Sequence, residues 1–468
     1  MCRAAVQSVS GNFGRTITLG ILMFLTVVMP ETVSAQTNLV GEVRMTNPPS
    51  ITPVGPMINP PQLPGRRLVR RSEPVFRYSG ARVEQWDNTY PHDQFLLARG
   101  ITGSFVQIPF HVEFETDAQE FEILTLGTKG SYRIKVDQEY VNLQPTDGPV
   151  DDGNFYWLRV SFDAKKSRLI SFESIGMAFG GVEIGVTDSI NAPHKPLGPR
   201  CIIMGDSFTE GLLSYAQRLS SLLNWEVWSS GVGGTGYLNS GLPGRSRFRD
   251  RVQSDVITNK PNIVVIAAGM NDAFYSPTLL KTEAQTLYDT ILTNLPGVKL
   301  IVVGPWWPRG TVPLFVLQSR NAIREAALSR GLDFIDPLVA TTSQEINLGW
   351  ITGTGNAGTP QGDGNADEYI SADTTHPTDL GHQYLALRLA EVLRPIQVIF
   401  PPTIEIHQLA GIYLQGRVGR SYVIQSRVSE EAAWVDGPTV TLSSSPQLWV
   451  DPSSTNRMRK AYRALLLP

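Results

Sequence analysis

The sequence predicts an α/β domain built on a parallel sheet, preceded by an all-β, jelly-roll-like domain and followed by a small β module. Three observations lead there. Between residues 200 and 400, short apolar runs such as Cys201–Met204 and Ile263–Ala267 alternate with stretches of helical period, the pattern of strands joined by crossover helices. Residues 75–195 show period-two alternation between Gly, Asp and Asn clusters, with no helical stretch of any length. Past Pro401 and Pro402, short strand-like runs return.

Size and charge set the outer bounds. The chain has 468 residues, enough for roughly two to four domains. Its 41% apolar content supports buried cores, and a net charge of −3 gives no footprint for nucleic acid or an anionic membrane. The sequence is silent on oligomeric state.

In chain order, residues 1–35 read as a signal peptide. Arg3 and Arg15 are basic, Ile17–Val28 is apolar but short for a membrane span, and Val33-Ser34-Ala35 has the small-residue pattern of a cleavage site. Cleavage after Ala35 implies a secreted or periplasmic protein without stable membrane insertion; the alternative is an uncleaved N-terminal anchor. Cys2 leaves with the signal and Cys201 falls in a buried strand, so the mature chain is expected to form no internal disulfide. Residues 36–74, with Pro48, Pro49, Pro53, Pro56, Pro60, Pro61 and Pro64, read as an extended linker or surface strap.

In residues 75–195, Val112 and Phe114, then Tyr132, Ile134 and Val136, then Leu158, Val160 and Phe162, mark the buried faces of a sandwich. The α/β domain spans residues 196–400. Its strands are expected at Cys201–Met204, Glu226–Ser229, Ile263–Ala267, Leu300–Val303 and Phe334–Ile335. Its helices are expected at Thr209–Leu223, Pro277–Asn294, Leu314–Arg330 and Asp379–Leu393. Residues 401–468 form the small C-terminal module, with strands marked by Ile412–Leu414, Tyr422–Ile424, Trp434, Trp449 and Tyr462.

Three stretches of the α/β region end strands or flank helices on one sheet edge, where open parallel sheets bind ligands. They are Gly205-Asp206-Ser207, Gly269-Met270-Asn271-Asp272 and Asp373-Thr374-Thr375-His376-Pro377. Taken alone, Ser207 caps a helix, Asn271 fills a turn and His376 is a loop histidine. Taken together they supply a reaction. A serine hydroxyl needs a general base, which His376 can be, and Asp373 can hold the second ring nitrogen. Asn271 can donate its amide to an oxyanion alongside backbone N–H groups.

These motifs resemble those of the SGNH (GDSL-type) hydrolases, esterases with a flavodoxin-like fold. The family's blocks are matched by Ser207 in Gly-Asp-Ser, a glycine of Gly231–Gly236, Asn271 in Gly-x-Asn-Asp and His376 in Asp-x-x-His-Pro. The resemblance implies Ser207 as nucleophile, His376 as base, Asp373 as its orienting carboxylate, and Asn271 with Gly234 in the oxyanion hole. Gly233 is the rival by register, and a Ser-His dyad is the rival to the triad. The upstream β domain also makes the domain order similar to that of carbohydrate esterase family 2, which implies an acetylated carbohydrate as the partner of the site. The alternatives are a lipid esterase or lysophospholipase of the same fold, or an inactive glycan-binding protein. Trp306 and Trp307, in the loop after Leu300–Val303, are the candidate sugar-stacking residues.

Other chemistries fit less well. Gly231–Gly236 satisfies G-x-G-x-x-G, but Asn239, Gly241, Pro243 and Gly244 follow where a dinucleotide site needs a helix. No G-x-S-x-G elbow surrounds the serine. The six histidines show no H-E-x-x-H or paired spacing, so neither metal nor other cofactor is expected. Gly362–Asp367 hints at calcium without the full ligand spacing, and a glycine-rich lid is the preferred reading.

Overall fold

The computed structural model describes residues 42–57, 64–85, 95–99, 108–194, 197–308, 310, 312–338 and 349–395, with further strand and turn segments at 24–27 and between 404 and 467. The expected cleavage site after Ala35 lies outside the described residues.

The N-terminal β region is a sandwich of two antiparallel sheets. One places Ser131–Val136, Arg168–Ile175 and Phe110–Thr116 side by side; the other runs Ser50–Met57, Phe155–Ser161, Glu120–Leu126, Gly181–Gly185, Arg66–Arg70. The alternation read from sequence is the inward face: Val112, Phe114, Ile134, Leu158 and Val160 are buried together with Phe110, Phe121 and Phe172. The proline-rich stretch is not merely a linker or strap. It supplies Ser50–Met57 and Arg66–Arg70, which are the two edge strands of the second sheet. Edges tolerate Pro53 and Pro56 because no ladder bond is lost on the outer side.

The α/β domain has five parallel strands: β1 (Arg200–Gly205), β2 (Glu226–Gly231), β3 (Ile263–Ala267), β4 (Lys299–Val303) and β5 (Asp333–Ile335). Their order is β2-β1-β3-β4-β5, the flavodoxin-like arrangement in which the topology reverses beside β1. Alternation along the strands feeds two cores. Ile202, Met204, Val264, Ile266 and Val302 meet α2 (Phe248–Asp255), α3 (Pro277–Asn294) and α4 (Leu314–Leu328) on one face. Cys201, Ile203, Val265, Ala267, Ile301 and Val303 meet α1 (Tyr215–Leu223) and α5 (Asp379–Leu393) on the other. Helix α2, not expected from sequence, puts Phe248, Val252 and Val256 on the core at four-residue spacing among charged neighbours.

A buried ion network joins the sandwich to the α/β domain. Arg133 pairs with Glu42 at 2.8 Å and with Glu173 at 2.9 Å, and Lys135 reaches Glu173 at 2.6 Å. Glu42 also pairs at 3.2 Å with Arg218 of α1, which in turn pairs with Asp379 at the start of α5. The Glu173 carboxyl is desolvated, but the Lys135 and Arg133 charges hold it well below the usual carboxylate range.

Separately, Phe24–Val27 pairs antiparallel with Ile404–His407. The C-terminal module pairs Ala410–Leu414 with Gln447–Asp451, and Ser421–Arg427 with both Val435–Thr441 and Ala461–Leu466. Leu414, Ile424 and Leu442 form its small core, and the Arg427 and Arg463 guanidinium groups both lie over the Trp434 ring.

Candidate active site

Strand β1 is buried along its length and delivers Asp206 and Ser207 at its carboxyl end. The chain then turns through Thr209 N–H to Asp206 O (3.0 Å). Helix α1 begins only at Tyr215, not at Thr209 as expected, because Gly211 at φ +99° breaks the helical path. Ser207 therefore lies in a polar turn and not on an α-helix N-terminus.

The structure brings Ser207, His376 and Asp373 into one relay. His376 Nε2 is 2.9 Å from Ser207 Oγ, and its Nδ1 is 2.6 Å from Asp373 Oδ2. The other Asp373 oxygen accepts from Ser371 Oγ (2.7 Å) and from the Thr375 and His376 N–H groups (2.9 Å each). Burial raises the Asp373 carboxyl, but the hydrogen bonds from His376, Ser371 and Thr375 together outweigh it and hold the group well below its usual range. The turn is built around Thr374 at φ +66°, a left-handed conformation that a β-branched residue seldom adopts. Its N–H bonds back to Ser371 O at 2.9 Å, and Ser371 N–H to His376 O at 2.8 Å.

Asn271 follows β3 and stands beside the relay. Its Nδ2 donates to Thr235 O at 3.0 Å and more loosely, at 3.4 Å, toward Asp206 Oδ2. The second N–H is thus weakly engaged and free to be redirected. Asp206 also accepts from Phe208 N–H at 3.0 Å. Burial pushes the Asp206 carboxyl up to about 7; Phe208 N–H lowers it and the neighbouring Asp272 charge raises it. Asp272 is itself raised by burial, against three N–H groups it accepts from Tyr237, Leu238 and Asn239 (2.8–3.0 Å). Those bonds fix the loop after β2.

That loop carries both oxyanion candidates. Thr235 N–H closes a turn on Val232 O at 3.2 Å, with Gly234 at φ +74°, the pattern of a type II turn that favours glycine. Gly233 N–H is taken by Glu210 Oε2 at 2.8 Å. Among the described residues, the N–H groups of Gly234 and Ser207 have no hydrogen-bond partner.

The two tryptophans part company. Trp306 is 2% exposed and packs between Phe208, Tyr215 and Trp350, with ring centroids 6.4, 5.5 and 5.2 Å away. It offers no face to a ligand, which corrects the sugar-stacking role expected for it. Trp307 lines an open cleft of about 400 Å³ with Asn239, Met270, Asn271, Phe274, Phe315 and Thr375. Phe274 stacks on Phe315 with centroids 4.7 Å apart while remaining 83% exposed. Sequence reasoning missed this aromatic pair, since Phe274 lies in a loop and Phe315 in the first turn of α4, and only the fold brings the two together. It also left Glu210 unassigned inside the serine motif. The Gly353–Asp367 loop spends its acids internally: Asp363 accepts from Thr354, and Asp367 from the Gln361 and Gly362 N–H groups.

A serine, an imidazole and a carboxylate thus lie in line at the strand ends of a flavodoxin-like sheet. Consistent with this, residues 203–384 match the GDSL-like Lipase/Acylhydrolase family and form a domain of that family. The GDSL lipase Rv0518 of Mycobacterium tuberculosis is 23% identical over 204 residues, 41% of this chain and 80% of the relative. Similar solved structures include an active-site mutant of a family two carbohydrate esterase from Clostridium thermocellum. It has a TM-score of 0.51 and 17% identity, covering 69% of this chain and 98% of that one. The salicylyl-acyltransferase SsfX3 of a tetracycline biosynthetic pathway has a TM-score of 0.52 and 13% identity, covering 72% and 100%. A family two carbohydrate esterase from Cellvibrio japonicus has a TM-score of 0.50 and 14% identity, covering 70% and 97%. These likenesses show the fold, a β sandwich followed by the hydrolase sheet. No helix among the described residues is long and apolar enough to cross a membrane.

Proposed function

We propose that the protein is a secreted serine esterase that removes small acyl groups, chiefly acetyl, from carbohydrate. The observation that carries the reading is the continuous relay from Asp373 through His376 to Ser207, 2.6 and 2.9 Å long; its chain neighbours Thr374 and Thr375 line a cleft together with Asn271 and Trp307. Ser207 Oγ attacks the ester carbonyl and passes its proton to His376 Nε2, while Asp373 holds Nδ1 and stabilises the imidazolium. The Ser207 and Gly234 N–H groups and Asn271 Nδ2 receive the oxyanion. Collapse expels the sugar oxygen, which takes the proton from His376. Water then attacks the acyl-serine with His376 as base, releasing acetate. Trp307 gives the sugar ring an apolar wall.

Structural neighbours that are carbohydrate esterases favour a sugar ester, and the signal-like N-terminus supports secretion. The test is acetate release from a panel of acetylated polysaccharides, with aryl esters of increasing acyl length in parallel. Acetate release with activity falling beyond short acyl chains supports the reading. Preference for long acyl chains would replace it with a lipid esterase, and saturable glycan binding without hydrolysis would replace it with a binding protein.

A further inference from the structure

Glu210 and Arg245 both bond the backbone of one glycine, Gly233. Glu210 Oε2 accepts from the Gly233 N–H at 2.8 Å, and Arg245 Nη1 donates to the Gly233 carbonyl. The fit is close. A methyl group added to Gly233 would stand 2.9 Å from Glu210 Oε2, 3.0 Å from Arg245 Nη1 and 3.4 Å from Ser207 Cβ. The two side chains thus grip a residue lying against the nucleophile.

The consequence follows from peptide geometry. In a trans peptide the carbonyl and the next N–H point in opposite directions. Arg245 draws the Gly233 carbonyl to itself, so the Gly234 N–H is turned away from Arg245, and it has no other partner among the described residues. The Gly-Gly centre of this turn resists rotation weakly. Reversing its central peptide exchanges type II for type I geometry, which glycine adopts at little cost. Reversal would present a carbonyl oxygen where a donor is needed. The far end of the turn is held as well, since Thr235 O accepts from Asn271 Nδ2 at 3.0 Å.

We propose that Glu210 and Arg245 are positioning residues that clamp Gly233 and so keep the Gly234 N–H presented as an oxyanion donor for Ser207. This rests on the serine esterase reading above. Neither residue touches substrate; both act through the turn.

The experiment compares Glu210→Ala, Arg245→Ala, Glu210→Gln and Arg245→Lys in the full chain, measuring kcat and KM on a small aryl acetate. Labelling of Ser207 by a fluorophosphonate and the thermal melting point are followed in parallel. Each alanine variant should lose about tenfold or more in kcat, with KM little changed and the fold intact, since an oxyanion donor acts in the transition state. The glutamine variant keeps a carbonyl acceptor and the lysine variant keeps a donor, so each should recover part of the loss. Alanine variants with wild-type kcat overturn the clamp. So do losses confined to KM, and conservative variants as impaired as the alanines. Wild-type protein that neither labels at Ser207 nor hydrolyses any ester overturns the underlying esterase reading instead, and the clamp with it.

Discussion

Trp306 and Trp307 leave the same strand as neighbours, yet one is buried in a floor of aromatic rings against Phe208 and the other stands in the wall of a cleft. Trp306 is wedged among Phe208, Tyr215 and Trp350, all of them buried. Trp307 meets Phe315 edge-on at 6.3 Å and faces the cleft, where the Phe274 ring stays open to solvent. The floor is determined by what is already packed there, so its residues can be replaced only at a cost to the fold. The wall keeps ring surface open to solvent, so under the proposed function its replacement should fall more on substrate preference than on the fold. Beside both lies the polar group of Ser207, Asn271 and His376.

The sharpest break is at the polar group. Ser207→Ala should abolish ester hydrolysis while leaving the melting temperature unchanged, because no neighbouring hydroxyl replaces Oγ; a fluorophosphonate label on another serine would refute the assignment. Asp373→Asn comes next. If the carboxylate fixes the His376 tautomer, kcat should fall by about 10⁴; a loss below about tenfold, with His376→Ala still inactive, would make the site a dyad. Asn271→Ala removes one oxyanion donor and should lower kcat by about 10²–10³ with KM little affected. An unchanged kcat would leave Asn271 as a turn residue.

The tryptophan pair then tests floor against wall directly. Trp306→Ala should destabilise the fold by about 3–5 kcal/mol in chemical denaturation, as large-to-small core changes do. Trp307 is only partly buried, against Ala273, Val316 and Leu338, so Trp307→Ala should cost clearly less stability than Trp306→Ala. The Trp307 variant's action on acetylated polysaccharide should fall by about tenfold, a sugar-face contact of the kind aromatic rings make, and its action on a small aryl acetate should barely change. Equal losses on both substrates would move Trp307 from the wall to the floor.

How much of this was legible depends on what each feature needs. The relay was legible because its chemistry requires Ser, His and Asp in fixed relation to strand ends and turns, and those turns are written locally. The five strands and four of the helices were legible from period. Helix α2 escaped because Arg249, Asp250, Arg251 and Asp255 dominate its composition, although Arg251 is itself buried and bonded to Gly205 O at 2.8 Å. The edge strands of the sandwich escaped because proline usually argues against strands, and only a position at the rim of a sheet suspends that rule. Trp306 was misjudged for a different reason. Its place at the sheet edge could be read, but the direction of its side chain depends on Phe208, Tyr215 and Trp350, which the chain brings in from three other segments. Glu210 and Arg245 act on a backbone group far from both in sequence terms, and side-chain-to-backbone contacts of that range leave no local pattern.

The ion network between the sandwich and the hydrolase sheet carries a consequence for how the molecule comes apart. Glu42 serves two guanidinium groups, one in each domain, and its side chain is only 5% exposed. If either domain opened alone, it would strand buried charge in the other, and breaking one partner of such a pair costs about 3–5 kcal/mol. The two domains should therefore lose their structure in a single cooperative transition. Amide exchange in Phe110–Thr116 of the sandwich and in Ile263–Ala267 of the hydrolase should report the same opening free energy. Glu42→Gln should lower both together; a drop in the sandwich alone would show that the domains melt independently.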